Sequence, residues 1–192
     1  MYDRHMHSYT DSIKIAGIEI LSDLGKFTAT SYWEDGPSGY LINRAKRVGL
    51  EVSVDQWGNV LAVKPGSDPN AEGIAFVAHM DHPGYEVVAQ QGDQLVLKTL
   101  GGIGIAAGRN GAEILVIDAS GRRIIATVVG AEKAEGNFQR SRESAGWLGT
   151  DTVYAQLSKD HDLGVLPVPA VPSLPDFIID NDLVRMRAAD DL

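Results

Sequence analysis

Gly73-Ile74-Ala75-Phe76-Val77-Ala78-His79-Met80-Asp81-His82-Pro83-Gly84 is the stretch that decides the fold class. Residues 73–78 form an uncharged apolar run of strand length, and the absence of polar alternation is what a strand covered on both faces shows. The run delivers His79-Met80-Asp81 at its C-terminal end. On an extended chain residues i and i+2 face the same way, so the imidazole and the carboxylate sit side by side where the strand leaves its sheet. His79 is then either a metal ligand whose tautomer Asp81 fixes, or a hydrogen-bonded structural histidine. His82 has the opposite parity, faces away from that site and is left as a pocket residue.

Upstream, Ile13, Ala16, Ile20 and Leu24 fall on one stripe and predict a helix over 11–24 that ends at Gly25. A second helix is expected after Gly36-Pro37-Ser38, running through Tyr40, Leu41, Ala45 and Val48 to a left-handed stop at Gly49. Alternation over 50–54 and 59–64, with a turn at 55–59, predicts a hairpin.

Downstream of Gly84 the pattern becomes all-β. Candidate strands are Tyr85–Ala89, Leu95–Leu100, Glu113–Asp118, Arg123–Val129 and Thr152–Leu157, as in a small barrel or sandwich. Residues 131–146 mix both charge signs without period and read as a solvated loop, with no chemistry assigned to Arg140 or Arg142. Leu163 to Pro175 holds four of the eight prolines and reads as an extended loop, too short and too broken for a membrane span. Phe177–Asp180 and Leu183–Met186 predict further strands. After them, Asp190-Asp191 sits in a turn that either caps a helix or bridges two cations.

The 192 residues carry 17 basic and 26 acidic side chains, a net charge of −9, which is the wrong sign for a phosphate backbone. With no cysteine, metal ligands must come from His, Asp and Glu. Residues 1–7 are polar and lack the apolar stretch of a secretory leader, so a cytoplasmic home is the default expectation, with neither nucleic acid nor membrane as partner. Gly102-Ile103-Gly104-Ile105-Ala106-Ala107 has dinucleotide-fingerprint spacing, but Gly108-Arg109-Asn110-Gly111 interrupts the helix that would hold a pyrophosphate. No serine-nucleophile elbow and no Gly-Lys-Ser or Gly-Lys-Thr loop occurs.

Taken in order, Asp55-Gln56-Trp57-Gly58-Asn59-Val60, Ala78-His79-Met80-Asp81-His82-Pro83-Gly84 and Ala188-Ala189-Asp190-Asp191 resemble the glutamyl and tetrahedral aminopeptidase family of cocatalytic metallopeptidases. In that family a D-x-x-G-N turn precedes a strand ending in His-x-Asp, and a small β domain stands before an Asp-Asp motif. The Leu100-Gly101-Gly102 step also looks like a glycine pair of that inserted domain, with a structural role. The resemblance implies an α/β fold: a partial phosphorylase/hydrolase-like metallopeptidase core at 1–84 and 176–192, interrupted by a β-rich inserted domain, a small PDZ-like barrel, at 85–175.

It further implies two divalent metal ions (zinc, cobalt or manganese), with His79 a ligand, Asp81 its catalytic orienting partner and Asp190 the bridge; Asp191 is the weaker candidate. The expected activity is release of N-terminal residues from peptides, by a protein that is a homo-oligomer in its full-length form. The family takes its general-base glutamate and remaining ligands from sequence after the Asp-Asp motif, and no such residues follow here. The expectation is therefore the N-terminal portion of such an enzyme or a shortened product, inactive as an isolated chain. A non-enzymatic β module that binds peptides or assembles subunits through exposed strand edges is the alternative.

Overall fold

The computed structural model describes residues 4–132, 151–173, 178–180 and 183–185. Helix α1 spans Arg4–Leu24, starting earlier than the apolar stripe predicts because residues 4–10 contain neither glycine nor proline to stop it. Its stripe is only partly used: Ile20, Leu21 and Leu24 are half-buried, while Ile13 stays exposed. Helix α2, Asp35–Arg47, ends as expected at Gly49, whose φ of 79° is the left-handed stop. Leu50 N–H donates to Ala45 O and Gly49 N–H to Lys46 O, the paired bonds of a Schellman ending.

Strands β1 (Glu51–Val54) and β2 (Val60–Val63) form the expected hairpin, with Glu51 opposite Val63 and Val54 opposite Val60, and they pack on α2. Its D-x-x-G-N turn is held by Asp55. Oδ1 accepts from Trp57 N–H at 2.8 Å and Asn59 N–H at 2.9 Å, and Oδ2 accepts from Asn59 Nδ2 at 2.8 Å. Gly58 supplies the positive φ the turn needs, so this motif is a structural clasp.

Six strands close an antiparallel barrel in the order β3-β4-β7-β6-β5-β8. They are β3 (Gly84–Gln91), β4 (Gln94–Leu100), β5 (Glu113–Ile117), β6 (Arg123–Ala131), β7 (Thr152–Leu157) and β8 (Val168–Pro172). Inward-facing Tyr85, Val87, Leu95, Leu97, Ile114, Val116, Ala126, Val128, Val153 and Ala155 alternate with outward residues and make the core. Register shifts between Val87 and Ala89, and between Val128 and Gly130, bend β3 and β6 so that the sheet can close. Helix α3 (Ile105–Gly108) is a single turn between β4 and β5, too short to hold a dinucleotide.

Two expectations are corrected. Leu163 to Pro175 is not a loop throughout, because β8 lies in it, buried along its whole length and closing the barrel between β3 and β5. The prolines are tolerated because each neighbour pairs with only a short stretch. Residues 168–170 face β3 and 170–172 face β5, so Pro169 lies outside the β5 pairing and Pro172 ends the strand. The run 73–78 is the opposite case: it forms no strand, and Ile74, Phe76 and Val77 are 85%, 96% and 94% exposed. A doubly covered strand needs neighbours for its hydrogen bonds and layers for both faces, and none of the described residues provides them.

The closed barrel is the β-rich part in its observed form, and its closure leaves it without an open edge strand. Beyond it, β9 (Ile178–Asp180) and β10 (Leu183–Arg185) pair antiparallel, Leu183 opposite Asp180. The solvated-loop expectation falls largely on 133–150, outside the described residues, as do Asp190 and Asp191.

Candidate metal centre

His79 and Asp81 lie where residues 73–82 lead into β3. Their side chains meet as i, i+2 spacing predicts, His79 Nδ1 standing 2.9 Å from Asp81 Oδ1. A carboxylate oxygen only accepts, so Nδ1 carries a proton that it donates to Asp81. The imidazole is 75% exposed, whereas Asp81 is half-buried.

The carboxylate is itself anchored. Ser31 Oγ donates to Asp81 Oδ2 at 2.5 Å, across a sequence separation of 50 residues. This hydroxyl first, and then the His79 imidazole, hold the Asp81 carboxyl below the ordinary carboxylate range against the opposing effect of partial burial. Asp81 is therefore ionised at neutral pH, as an orienting partner of a ligating histidine must be.

His82 makes its hydrogen bonds to neither member of this pair. Ala29 N–H donates to its Nε2 at 3.2 Å, which leaves the proton on Nδ1, 3.1 Å from Pro83 O. Its own N–H donates to Ala29 O at 2.8 Å. With its lone pair engaged by a backbone amide, His82 is a structural clamp rather than a pocket residue. Next to it Gly84 packs so closely that a Cβ there would lie 2.1 Å from Thr30 Cγ2 and 2.9 Å from Ala170 O. Gly101 lies against Pro83 at ordinary contact distance, and its φ of 74°, a conformation that favours glycine, is consistent with the structural role expected of the Leu100-Gly101-Gly102 step.

The donor chemistry fits a divalent ion in part: one imidazole, held through Nδ1 by an ionised carboxylate. Among the described residues no group of three or more His, Asp or Glu side chains could hold a metal ion. Sequence reasoning found His79 and Asp81 but missed Ser31, since no local pattern links a serine to a carboxylate 50 positions away. No helix among the described residues is long and apolar enough to cross a membrane.

A pair of helices and a hairpin followed by a closed six-stranded barrel is an arrangement found in part in aminopeptidases of the TET family, the family that the three sequence motifs resemble. An aminopeptidase from the archaeon Desulfurococcus kamchatkensis matches with a TM-score of 0.67 at 18% identity, over 88% of this chain and 46% of its own. The Pyrococcus horikoshii TET1 peptidase, which can assemble into a tetrahedron or a large octahedral shell, matches with a TM-score of 0.60 at 21% identity, over 85% of this chain and 48% of its own. A TET aminopeptidase from a marine sediment Thaumarchaeota archaeon gives 0.61 at 18% identity, over 86% and 46%. At these identities the likeness is one of fold, and the chain spans under half the length of the solved structures it matches. No protein-family model matches the sequence, and no curated protein matches it.

Proposed function

We propose that this chain supplies the His-x-Asp portion of a dinuclear metal-dependent aminopeptidase that removes N-terminal residues from peptides. The observation that carries the proposal is the exposed His79 imidazole held through Nδ1 by an anchored Asp81, in a fold shared with TET aminopeptidases. His79 is the ligand, through Nε2. Asp81 keeps the proton on Nδ1 and makes the imidazole a better donor. Asp190 is assigned the bridging position, with Asp191 as the weaker candidate. When bound, two divalent ions (zinc, cobalt or manganese) lower the pKa of a shared water and polarise the scissile carbonyl.

The partial catalytic core is assigned to 1–84 and 176–192 and the inserted β domain to 85–175. The full-length protein is taken to be a cytoplasmic homo-oligomer acting on peptides, like the shell-forming relatives. The alternative of a β module working through exposed strand edges loses support, because the barrel that would carry those edges is closed.

Calorimetric titration of the 192-residue chain with zinc tests the assignment. Weak binding is expected, reduced about tenfold or more by His79→Ala and by Asp190→Ala, with no measurable release of amino acids from a peptide panel. Zinc binding indifferent to both substitutions, or clear turnover by the pure chain, would overturn it.

A further inference from the structure

The segment that brings Ser31 to Asp81 is built residue by residue. Ala29 is buried and locked to His82 in both directions, through His82 N–H to Ala29 O at 2.8 Å and Ala29 N–H to His82 Nε2 at 3.2 Å. Thr30 is buried and its methyl occupies the space that a side chain at position 84 would need. The next residue, Ser31, reaches the Asp81 carboxylate.

The chain then reverses. Trp33 N–H donates to Thr30 O at 2.9 Å, and Tyr32 adopts φ 75°, the only positive φ outside glycine among the described residues. A positive φ at the third residue of a four-residue turn, with the second negative, defines a type II turn, and Ser31 is its corner. Tyr32 N–H is taken up by Glu34 Oε1 at 3.0 Å. A tyrosine in a conformation usually left to glycine or asparagine is maintained only where the surroundings over-determine it. Here they do so at the residue next to the serine that grips Asp81.

We propose that Ser31 is a positioning residue for the His79 site: its hydroxyl holds Asp81 in the orientation in which the other carboxylate oxygen receives His79 Nδ1–H, and so fixes Nε2 as the donor nitrogen. The proposal rests on reading His79 as a metal ligand and extends that role to a side chain 50 residues upstream, on a separate loop. Ser31 touches neither substrate nor metal in this account. It acts through Asp81 alone.

Two readouts on the 192-residue chain test it. Long-range proton–nitrogen spectra at pH 8 report which nitrogen of His79 carries the proton, without any metal. Zinc titration reports the donor strength. Ser31→Ala should shift His79 from the single Nδ1–H tautomer towards a mixture and weaken zinc binding about tenfold, as loss of an outer hydrogen-bond partner of a ligand does. Ser31→Thr, which keeps the hydroxyl, should restore both to within about threefold of the parent. If Ser31→Ala does not fold, Ser31→Cys, a weak donor of similar size, should give an intermediate tautomer shift and loss of affinity.

An alanine variant, or failing that a cysteine variant, with the parent's tautomer and zinc affinity overturns the positioning role. A threonine variant as impaired as alanine overturns it as well, because the hydroxyl would then be irrelevant. The metal reading fails separately: zinc affinity unmoved by His79→Ala sinks that reading, while the tautomer readout still decides for or against Ser31.

Discussion

Ser31, Asp81 and His79 show how far single residues can be read. The His79–Asp81 contact is local, set by the two-residue repeat of an extended chain, and was expected from spacing alone. The Ser31 contact is not, because its partner is chosen by a turn whose type depends on a conformation that tyrosine rarely adopts. That conformation makes a testable cost. The Tyr32 ring is 83% exposed, so Tyr32→Gly forfeits little burial. It relieves a strain of roughly 1–2 kcal/mol and gives back about 0.5–1 kcal/mol as extra unfolded-state entropy. A net gain of about 0.5–1 kcal/mol in urea unfolding is expected, and a loss larger than about 0.5 kcal/mol would show that the ring has a structural role.

At the scale of elements, the β5–β6 turn illustrates how a charge can tie two segments together. Asp118 is buried there, accepting from Ser120 N–H at 2.8 Å, Ser120 Oγ at 2.6 Å and Arg122 N–H at 2.9 Å. Its other oxygen lies 2.8 Å from His161 Nε2 and 3.4 Å from Arg122 Nε. Hydrogen bonds from Ser120 above all, and then from His161, hold the carboxyl well below the ordinary range. A carboxyl with a depressed folded-state pKa contributes stability that is complete above its unfolded value, about 3.9, and is lost as pH falls through the folded value. Asp118→Asn should therefore cost most at pH 7, and the gap between the variant and the parent should narrow by pH 3. Equal gaps in urea unfolding at the two pH values would contradict this account.

The barrel strands were legible from alternation, since each presents one face to a common core. Strand β8 was not, because burial along its whole length removes the alternation and its prolines read as breakers. The same argument failed in the other direction at 73–78, where an apolar run of strand length has neither neighbours nor cover among the described residues.

For the molecule as a whole, stability resides in the barrel and not in the most hydrophobic segment of the chain. Leu97 is fully buried in the barrel core, whereas Phe76 is 96% exposed. Leu97→Ala should cost about 2–5 kcal/mol through lost transfer energy and the cavity left behind. Phe76→Ser should stay within about 0.5 kcal/mol of the parent. Chemical denaturation of the two variants checks the contrast, and a large loss for Phe76→Ser would mean that the segment is covered in solution.

By itself the sequence determined what is local: the helix stops at glycine, the Asp55 clasp, the alternating strands, the side-by-side imidazole and carboxylate, and the three motifs that resemble the TET aminopeptidases. Tertiary structure alone decided that six strands close into a barrel through a proline-bearing strand, that His82 is spent on a backbone amide, and that Ser31 secures Asp81. Each of these depends on which distant segments meet. A one-dimensional pattern records how a residue relates to its near neighbours, and carries no term for the partner that folding brings to it.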